Sequence, residues 1–229
     1  MTRMWIVFFA LALSLPAQNT GTIAGTLNSG GSPVGGAFVT AYLQASGTGG
    51  KFGPVFNGLT GADGSFAMKG VPAGEYLLCA EKASAALLNP CQWSATPNTV
   101  TVAAGADASV ALTAQTGVSM IVRVNDPNGL LASSSGLDDI LINAKTTSGL
   151  HVLAVPASKD SSGKTMTVLV PQDAPINLTV YSSKLSLTDD QGDSFTTPNV
   201  AVTVSAPTGA TANSASSAAL TLTIQGKKN

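Results

Sequence analysis

After residue 20 the chain is a succession of short candidate strands, separated by sequences that favour turns. Thr20–Leu27 and Ala37–Leu43 have the residue types of strands, and a segment rich in Gly and Pro between them predicts a turn. Asp63-Gly64 is a strong signal for a tight turn, because glycine accepts a positive φ without steric cost. About seven such strands fit residues 20–115, which is the number and spacing typical of a β-sandwich.

The second half of the chain repeats this pattern. Val118–Val124 is apolar enough for a strand, and Leu220, Leu222 and Ile224 alternate with threonines, as a half-buried strand requires. We therefore predict an all-β protein of two tandem β-sandwich domains, the second at residues 117–229 and of unassigned family. A single fused β unit is the alternative.

The chain is poor in charge. Charged residues make up only 10% of it, well below the ~25% usual for soluble domains. The polar surface must therefore come from Ser, Thr, Asn and Gly, and short hydroxylated side chains suit exposed strand faces better than helices. The formal net charge is −1, and no basic patch is present to attract nucleic acid. Composition thus favours β structure and argues against a nucleic-acid partner.

The N-terminus predicts export. Arg3 precedes an apolar run, Trp5–Leu15, of about the length expected for the core of a secretory signal peptide, and Pro16 ends it. We expect residues 1–17 to be the signal peptide, with cleavage after Ala17. The alternative is a membrane anchor, but the run is shorter than the ~20 residues that a spanning helix needs. The mature chain is then secreted, periplasmic or on the outer surface, with no transmembrane span.

Four segments of the first half share the order and spacing of a known set of motifs. They are Thr22–Thr26, Val34–Val39, Thr60–Phe66 and Val71–Tyr76. Together they resemble a carboxypeptidase regulatory-like domain, a module found in secreted or envelope bacterial proteins. The resemblance covers roughly residues 20–115, so we place the first domain at 18–116.

This resemblance implies a prealbumin-like or carbohydrate-binding-like sandwich without catalytic residues. It also implies that the motif residues belong to the scaffold. Asp63-Gly64 is expected to fix a turn, and Phe66 and Tyr76 are expected to fill the core between two sheets. No peptidase domain is present in the sequence for such a module to accompany.

The two cysteines, Cys79 and Cys91, both lie in the part predicted to be exported. In an oxidising compartment two thiols usually pair, and this bridge would close a loop worth roughly 3 kcal/mol in the loop-entropy model. Free or metal-binding thiols are the alternative. The chain has one histidine, His151, so a zinc site would lack ligands. We predict a disulfide and neither a metal nor a cofactor.

The residues needed for catalysis are scarce. Any Ser-His-Asp or Cys-His mechanism would have to use His151, which lies in an apparent strand, where a histidine on the strand face is the simpler interpretation. Glu75 and Glu81 are the only glutamates, and Glu75 falls in a turn-to-strand motif where exposure is expected. The sequence therefore predicts that the protein is not an enzyme.

The remaining ligand candidates are weak. Asp189, Asp190 and Asp193 could offer oxygens to Ca²⁺, but they lack EF-hand spacing, so an ordinary turn is the favoured interpretation. Carbohydrate modules stack sugars on exposed aromatic rings, which makes three residues possible ligand contacts. These residues are Trp93, Tyr42 and Tyr181, with a core position as the favoured alternative for Trp93.

Taken together, these features predict a non-catalytic β-sandwich protein of the cell envelope or the secreted fraction. It would act as a structural and interaction module, with an envelope protein or a glycan as partner. The alternative function is that of a carbohydrate-binding module, which depends mainly on the resemblance between folds.

Overall fold

The computed structural model describes residues 19–44, 53–82, 86–131, 138–195, 200–205 and 218–228. The predicted signal peptide lies outside these residues. Most of the described chain is β-strand, which confirms the predicted fold class. The helix of the described residues, α1, is a single turn at Pro90–Trp93. No helix in these ranges is long and apolar enough to cross a membrane.

The strands follow one another in a first and a second group. The first group is β1 (Gly21–Ser29), β2 (Ser32–Pro33), β3 (Phe38–Leu43), β4 (Val55–Leu59), β5 (Ser65–Val71), β6 (Gly74–Glu81), β7 (Leu87–Leu88) and β8 (Thr99–Val102). The second group is β9 (Asp107–Asn125), β10 (Leu141–Lys145), β11 (His151–Leu153), β12 (Val155–Asp160), β13 (Gly163–Pro171), β14 (Pro175–Tyr181), β15 (Leu185–Thr188), β16 (Ser194–Phe195), β17 (Val200–Ser205) and β18 (Ala218–Lys227).

The first sandwich is formed by two facing sheets. One has the order β4-β3-β6-β8, and the other is built from β1, β5 and the N-terminal half of β9. Their inner faces carry alternate apolar residues, as the period of two along a strand requires. The buried core between them includes Ile23, Leu27, Val39, Tyr76 and Leu112.

The second sandwich has its own core. The sheet of order β11-β10-β14-β17 faces the sheet of order β12-β13-β9-β18-β15-β16. The buried residues between them include Met120, Val122, Ile142, Leu178 and Leu222. The structure therefore contains two hydrophobic cores in tandem, as the sequence predicts.

Strand β9 belongs to both sandwiches. Its first half pairs in parallel with β1, from Thr22 beside Asp107 to Ser29 beside Ala114. Its second half pairs with β13 and, in parallel, with β18. The sequence suggests two strands here, one on each side of the 116/117 boundary, but the structure has one continuous strand of 19 residues.

The motifs of the first half have the structural roles expected of them. Gly64 has a φ of 76°, and its N–H donates to the carbonyl of Gly61 at 2.9 Å, so Asp63-Gly64 forms the predicted turn between β4 and β5. Phe66 and Tyr76 are both buried in the first core. The scaffold interpretation of these residues is confirmed.

Other elements differ from the sequence prediction. Residues 150–155 suggest a single strand, but β11 ends at Leu153 and β12 begins at Val155 in the opposite sheet. Between them Ala154 is buried, and its N–H donates to the carbonyl of Ile142 at 2.8 Å. The strands β2, β7, β15 and β16 are too short to stand out in the sequence.

Candidate functional site

A disulfide fixes the position of α1, next to which the candidate site lies. Cys79 of β6 and Cys91 of α1 are bonded, with their Cα atoms 5.0 Å apart. Asn89 caps the helical turn, because its side-chain oxygen accepts from the N–H of Cys91 at 3.0 Å, and Pro90 occupies the first helical position. The bridge thus ties α1 to the first sandwich.

The same helical turn also contacts the second sandwich. Trp93 is only 6% exposed and is part of the second core, although it follows Cys91 by two residues. Ser148, in the turn between β10 and β11, donates from its hydroxyl to the carbonyl of Gln92 at 2.6 Å. The N–H of Leu150 and the hydroxyl of Ser148 both hydrogen-bond to the hydroxyl of Thr146. α1 is therefore held at the junction of the two cores.

A pocket of about 260 Å³ opens beside this junction. Its walls come from α1, the end of β10 and the turn between β13 and β14. The lining residues are Trp93, Lys145, Thr146, Thr147, Pro171, Ala174, Pro175, Ile176 and Asn177. Among the residues that sequence reasoning singles out, the structure brings Trp93 alone to this pocket.

Tyr42 lies elsewhere, on the outer face of the first sandwich. It is 44% exposed and stands on β3 together with Phe38, which is 62% exposed. Across the strand pair, Phe38 is beside Leu59 and Tyr42 is beside Val55. We call these four residues, all exposed, the outer apolar patch. The alternation along β3 places Phe38 on the same face as Tyr42 and is the sequence signal that indicates it.

Tyr181 lines neither the pocket nor the outer apolar patch. It lies at the end of β14 and pairs with Leu141 on the outer face of the second sandwich. It is partly buried, and no aromatic partner faces it among the described residues. The three aromatic candidates therefore occupy three separate places and do not form one surface.

The aspartates of segment 189–193 form a turn between β15 and β16. The carboxylate oxygen Oδ1 of Asp189 accepts from the N–H of Gln191 at 3.0 Å and from the N–H of Asp193 at 2.9 Å. Gly192 has a φ of 88°, as tight turns often require. In the described ranges no three His, Cys, Asp or Glu side chains lie close enough together to hold a metal ion.

His151 is exposed at the start of β11, opposite Lys145 of β10. In a paired register the two side chains share one face of the sheet. Among the described residues neither side chain has a carboxylate partner, and the ion pairs there are Arg123–Asp160 and Lys164–Asp138. His151 is therefore beside a cation rather than within a triad.

Several other charged groups hold the scaffold together. The guanidinium of Arg123 on β9 donates two hydrogen bonds to the carboxylate of Asp160, at 2.8 and 2.9 Å. Together with the Ser162 hydroxyl, it holds the pKa of Asp160 far below its ordinary value. The buried carboxylate of Asp126 accepts from the N–H groups of Leu130 and Leu131.

A second cluster joins the chain before β10 to β13 and to the turn between β14 and β15. Lys164, which is buried, pairs with Asp138. Burial opposes the ionisation of Asp139, but hydrogen bonds from Ser182 and Ser183 outweigh it and lower its pKa. These aspartates connect strand ends, which the sequence alone did not reveal because their partners are about 26 or more residues away.

Comparison with known proteins gives no family for the chain. No family model and no curated protein matches it. The resemblance to the carboxypeptidase regulatory-like domain therefore stays a prediction.

The similar solved structures are β proteins, and their TM-scores against this chain are low. They include the Bacillus anthracis TIE protein, with 11% identity over 82% of this chain and 41% of that one, at a TM-score of 0.31. A streptococcal ancillary pilin has 13% identity over 81% of this chain and 59% of that one, at 0.37. A DUF3823 family protein from Parabacteroides merdae has 14% identity over 84% and 83%, at 0.33. The chain thus spans about half the length of the first two, and these scores assign it to no family.

Proposed function

We propose that the chain is a non-catalytic β-sandwich protein, secreted or held in the cell envelope, that acts as a structural and interaction module. In this proposal residues 1–17 direct export. Residues 18–116 and 117–229 are the two domains, connected through β9. The partner is an envelope component that contacts the outer apolar patch.

The outer apolar patch is the observation that carries this proposal. Its four side chains project from one face of two paired strands, and β4 lies at the end of its sheet among the described strands. The polar Thr40–Asn57 pair separates its two apolar pairs. Exposed apolar groups bordered by polar ones on a soluble protein often mark an interaction site. Aromatic residues in addition contribute strongly to binding at protein interfaces.

The use of charge supports a non-catalytic role. Asp126, Asp139 and Asp160 each accept two or more hydrogen bonds within the scaffold. A general acid or base must instead reach a substrate proton. These three carboxylates are thus better suited to fixing loops than to proton transfer.

The test is a binding measurement on native envelope material. Full-length protein with Phe38→Ser and Leu59→Ser is compared with wild type for retention on isolated envelopes. We expect the double variant to lose most of its retention, because it replaces the two most exposed patch residues with polar ones. The matched control is Leu153→Ser with Val155→Ser, which removes two equally exposed apolar side chains from the second sandwich. Equal retention of both variants and wild type would contradict the proposal.

A carbohydrate-binding role is the second candidate, and one arrangement favours it. Phe38 and Tyr42 present two rings on one strand face, with Thr40 between them donating to the Asn57 side chain at 2.9 Å. Rings beside polar groups suit sugars, whose faces are apolar and whose edges carry hydroxyls. A glycan array with wild type and Tyr42→Ala separates the two candidates. Glycan binding lost in Tyr42→Ala favours this role, and no binding to any glycan rejects it.

A further inference from the structure

The Trp93 side chain has an unusual environment for a buried tryptophan. Its ring is 6% exposed, yet its indole N–H donates to no described residue. In the described part of the chain no fully buried side-chain nitrogen or oxygen lacks a hydrogen-bond partner. An indole N–H without a described partner is therefore expected to reach solvent. Because Trp93 lines the pocket, we infer that this N–H opens into it.

The pocket also has an unbalanced charge. Lys145 is its one charged lining residue, and its ammonium group pairs with no described carboxylate. His151 lies beside Lys145 across the strand pair and adds no negative charge. Asp173, in the turn between β13 and β14, is exposed and does not line the pocket. The lining thus offers a cation and an indole donor without an internal anion.

We propose that this pocket binds an acidic monosaccharide unit through its carboxylate. The ammonium of Lys145 and the indole N–H of Trp93 receive the two carboxylate oxygens. Charge-assisted hydrogen bonds of this kind are about twice as strong as neutral ones. The pocket is pre-formed, because the Ser148–Gln92 hydrogen bond and the Cys79–Cys91 bridge hold α1 against the β10–β11 turn.

The rest of the lining favours a sugar acid over other carboxylates. Thr147 has a hydroxyl group, and the amide nitrogen of Asn177 is free of described partners while its oxygen accepts from Thr203. These groups remain to bind ring hydroxyls once the carboxylate is held. The volume of about 260 Å³ is below the roughly 300–1,000 Å³ of sites for drug-sized ligands, so it suits one sugar unit.

This inference goes beyond the proposed function. The pocket lies at the junction with the second sandwich, and none of the outer apolar patch lines it. A variant that is no longer retained on envelopes can therefore still bind a ligand in the pocket. A protein whose pocket binds no ligand can likewise still be retained on envelopes.

The experiment follows the indole N–H of Trp93 directly. Trp5→Phe leaves Trp93 as the only tryptophan of the full chain, so the ¹⁵N-labelled protein gives one indole signal. Titration with sodium glucuronate is compared with titration with glucose at equal ionic strength. We expect glucuronate to shift the indole signal saturably and glucose to shift it little. Equal shifts with both sugars, or none with glucuronate, would overturn the proposal.

Two variants and one competing ligand complete the test. Lys145→Gln should weaken glucuronate binding by about tenfold or more, since it removes the charged donor. Lys69→Gln, at an exposed site on β5, is the matched control and should bind as the parent does. Unchanged affinity in Lys145→Gln would reject the carboxylate contact. N-acetylalanine supplies a carboxylate without a sugar ring, and tighter binding of it than of glucuronate would reject the sugar assignment. If glucuronate binds, its affinity is compared with that of an oligomer of uronic acid. The comparison shows whether the pocket accepts a unit within a chain or only a free sugar.

Discussion

Tyr76 is the largest fully buried side chain of the first core, and it also carries a polar atom into that core. Its ring meets Phe56 edge to face at 6.0 Å, and its hydroxyl donates to the carbonyl of Pro72 at 2.9 Å. The hydrogen bond ties β6 to the turn that precedes it. A buried hydroxyl with a partner stabilises the fold, whereas the same group without one would cost free energy.

Tyr76→Phe should lower the free energy of unfolding by about 1 kcal/mol, because it removes the hydrogen bond but keeps the ring. Urea denaturation followed by circular dichroism measures the change. Tyr42→Phe is the matched control, since the Tyr42 hydroxyl is exposed and has no hydrogen bond among the described residues. An equal effect of the two substitutions would contradict the role given to the Pro72 contact.

Replacing Cys79 and Cys91 together by serine should destabilise the folded chain by roughly 3 kcal/mol, the loop-entropy value for a loop of this size. Guanidinium denaturation of the variant and the oxidised wild type measures it. Mass analysis without reductant provides the control and should find no alkylatable thiol in the wild type. Two reactive thiols in the folded protein would contradict the bridge.

The lowered pKa of Asp160 predicts how the stability of the fold changes with pH. The Arg123 guanidinium and Ser162 stabilise the carboxylate in the folded chain, so its pKa is below the ordinary value of 3.8. The contact therefore stabilises the fold above about pH 4, and this contribution is lost as the pH falls towards the lowered pKa. Asp160→Asn should melt at a lower temperature than wild type at pH 7, and the gap should narrow below pH 4. A gap that is constant from pH 7 to pH 2 would contradict this.

At the scale of single elements, the turns are the parts that sequence specifies most directly. The Asp63-Gly64 turn is fixed by Gly64, and the Asp63 carboxylate accepts from the hydroxyl and N–H of Ser65, which lower its pKa. A Cβ on Gly64 would lie 2.6 Å from the carbonyl oxygen of Leu27. Both the backbone conformation and the lack of space therefore require glycine here.

Gly64→Ala should destabilise the fold by about 1–3 kcal/mol more than Gly30→Ala, because only the first adds a steric clash. Gly30 has a similar φ of 57°, but a Cβ there meets nothing within 4 Å. Thermal unfolding of the two variants measures the difference. Equal melting temperatures would show that the close approach to Leu27 is not a constraint.

Regular alternation explains which strands could be predicted and which could not. β13 and β14 bury every second residue, so their hydrophobic pattern is visible in the sequence. β12 is exposed at all six positions and has no such pattern. The pairing of β1 with β9 joins segments about 85 residues apart, and no local signal encodes it. The pocket was missed for the same reason, since Trp93 and Lys145 meet only through long-range packing.

At the scale of the whole molecule, the two cores are connected by β9 and by α1. Leu112 of the first core and Met120 of the second lie on the same strand. Trp93 packs in the second core, while its neighbour Cys91 is bonded to the first sandwich. We therefore expect the stability of one core to depend on the other.

Leu27→Ala in the first core tests this coupling. Loss of a fully buried leucine costs about 2–5 kcal/mol locally. In the Trp5→Phe background, the fluorescence of Trp93 reports on the second core. We expect Leu27→Ala to move the urea midpoint of this fluorescence to lower urea, together with the circular dichroism midpoint. A Trp93 transition that does not move would mean that the sandwiches unfold independently.

The parallel pairing of β9 with β1 and β18 has a mechanical consequence. β1 begins beside the first residue of β9, and β18 runs to a position beside the last. Tension applied at residues 21 and 227 would pull β1 and β18 in opposite directions along β9, which is about 60 Å long at ~3.3 Å per residue. The hydrogen bonds of both ladders would then carry the load together in shear, rather than opening one after another from an end. We therefore expect this topology to resist tension along β9.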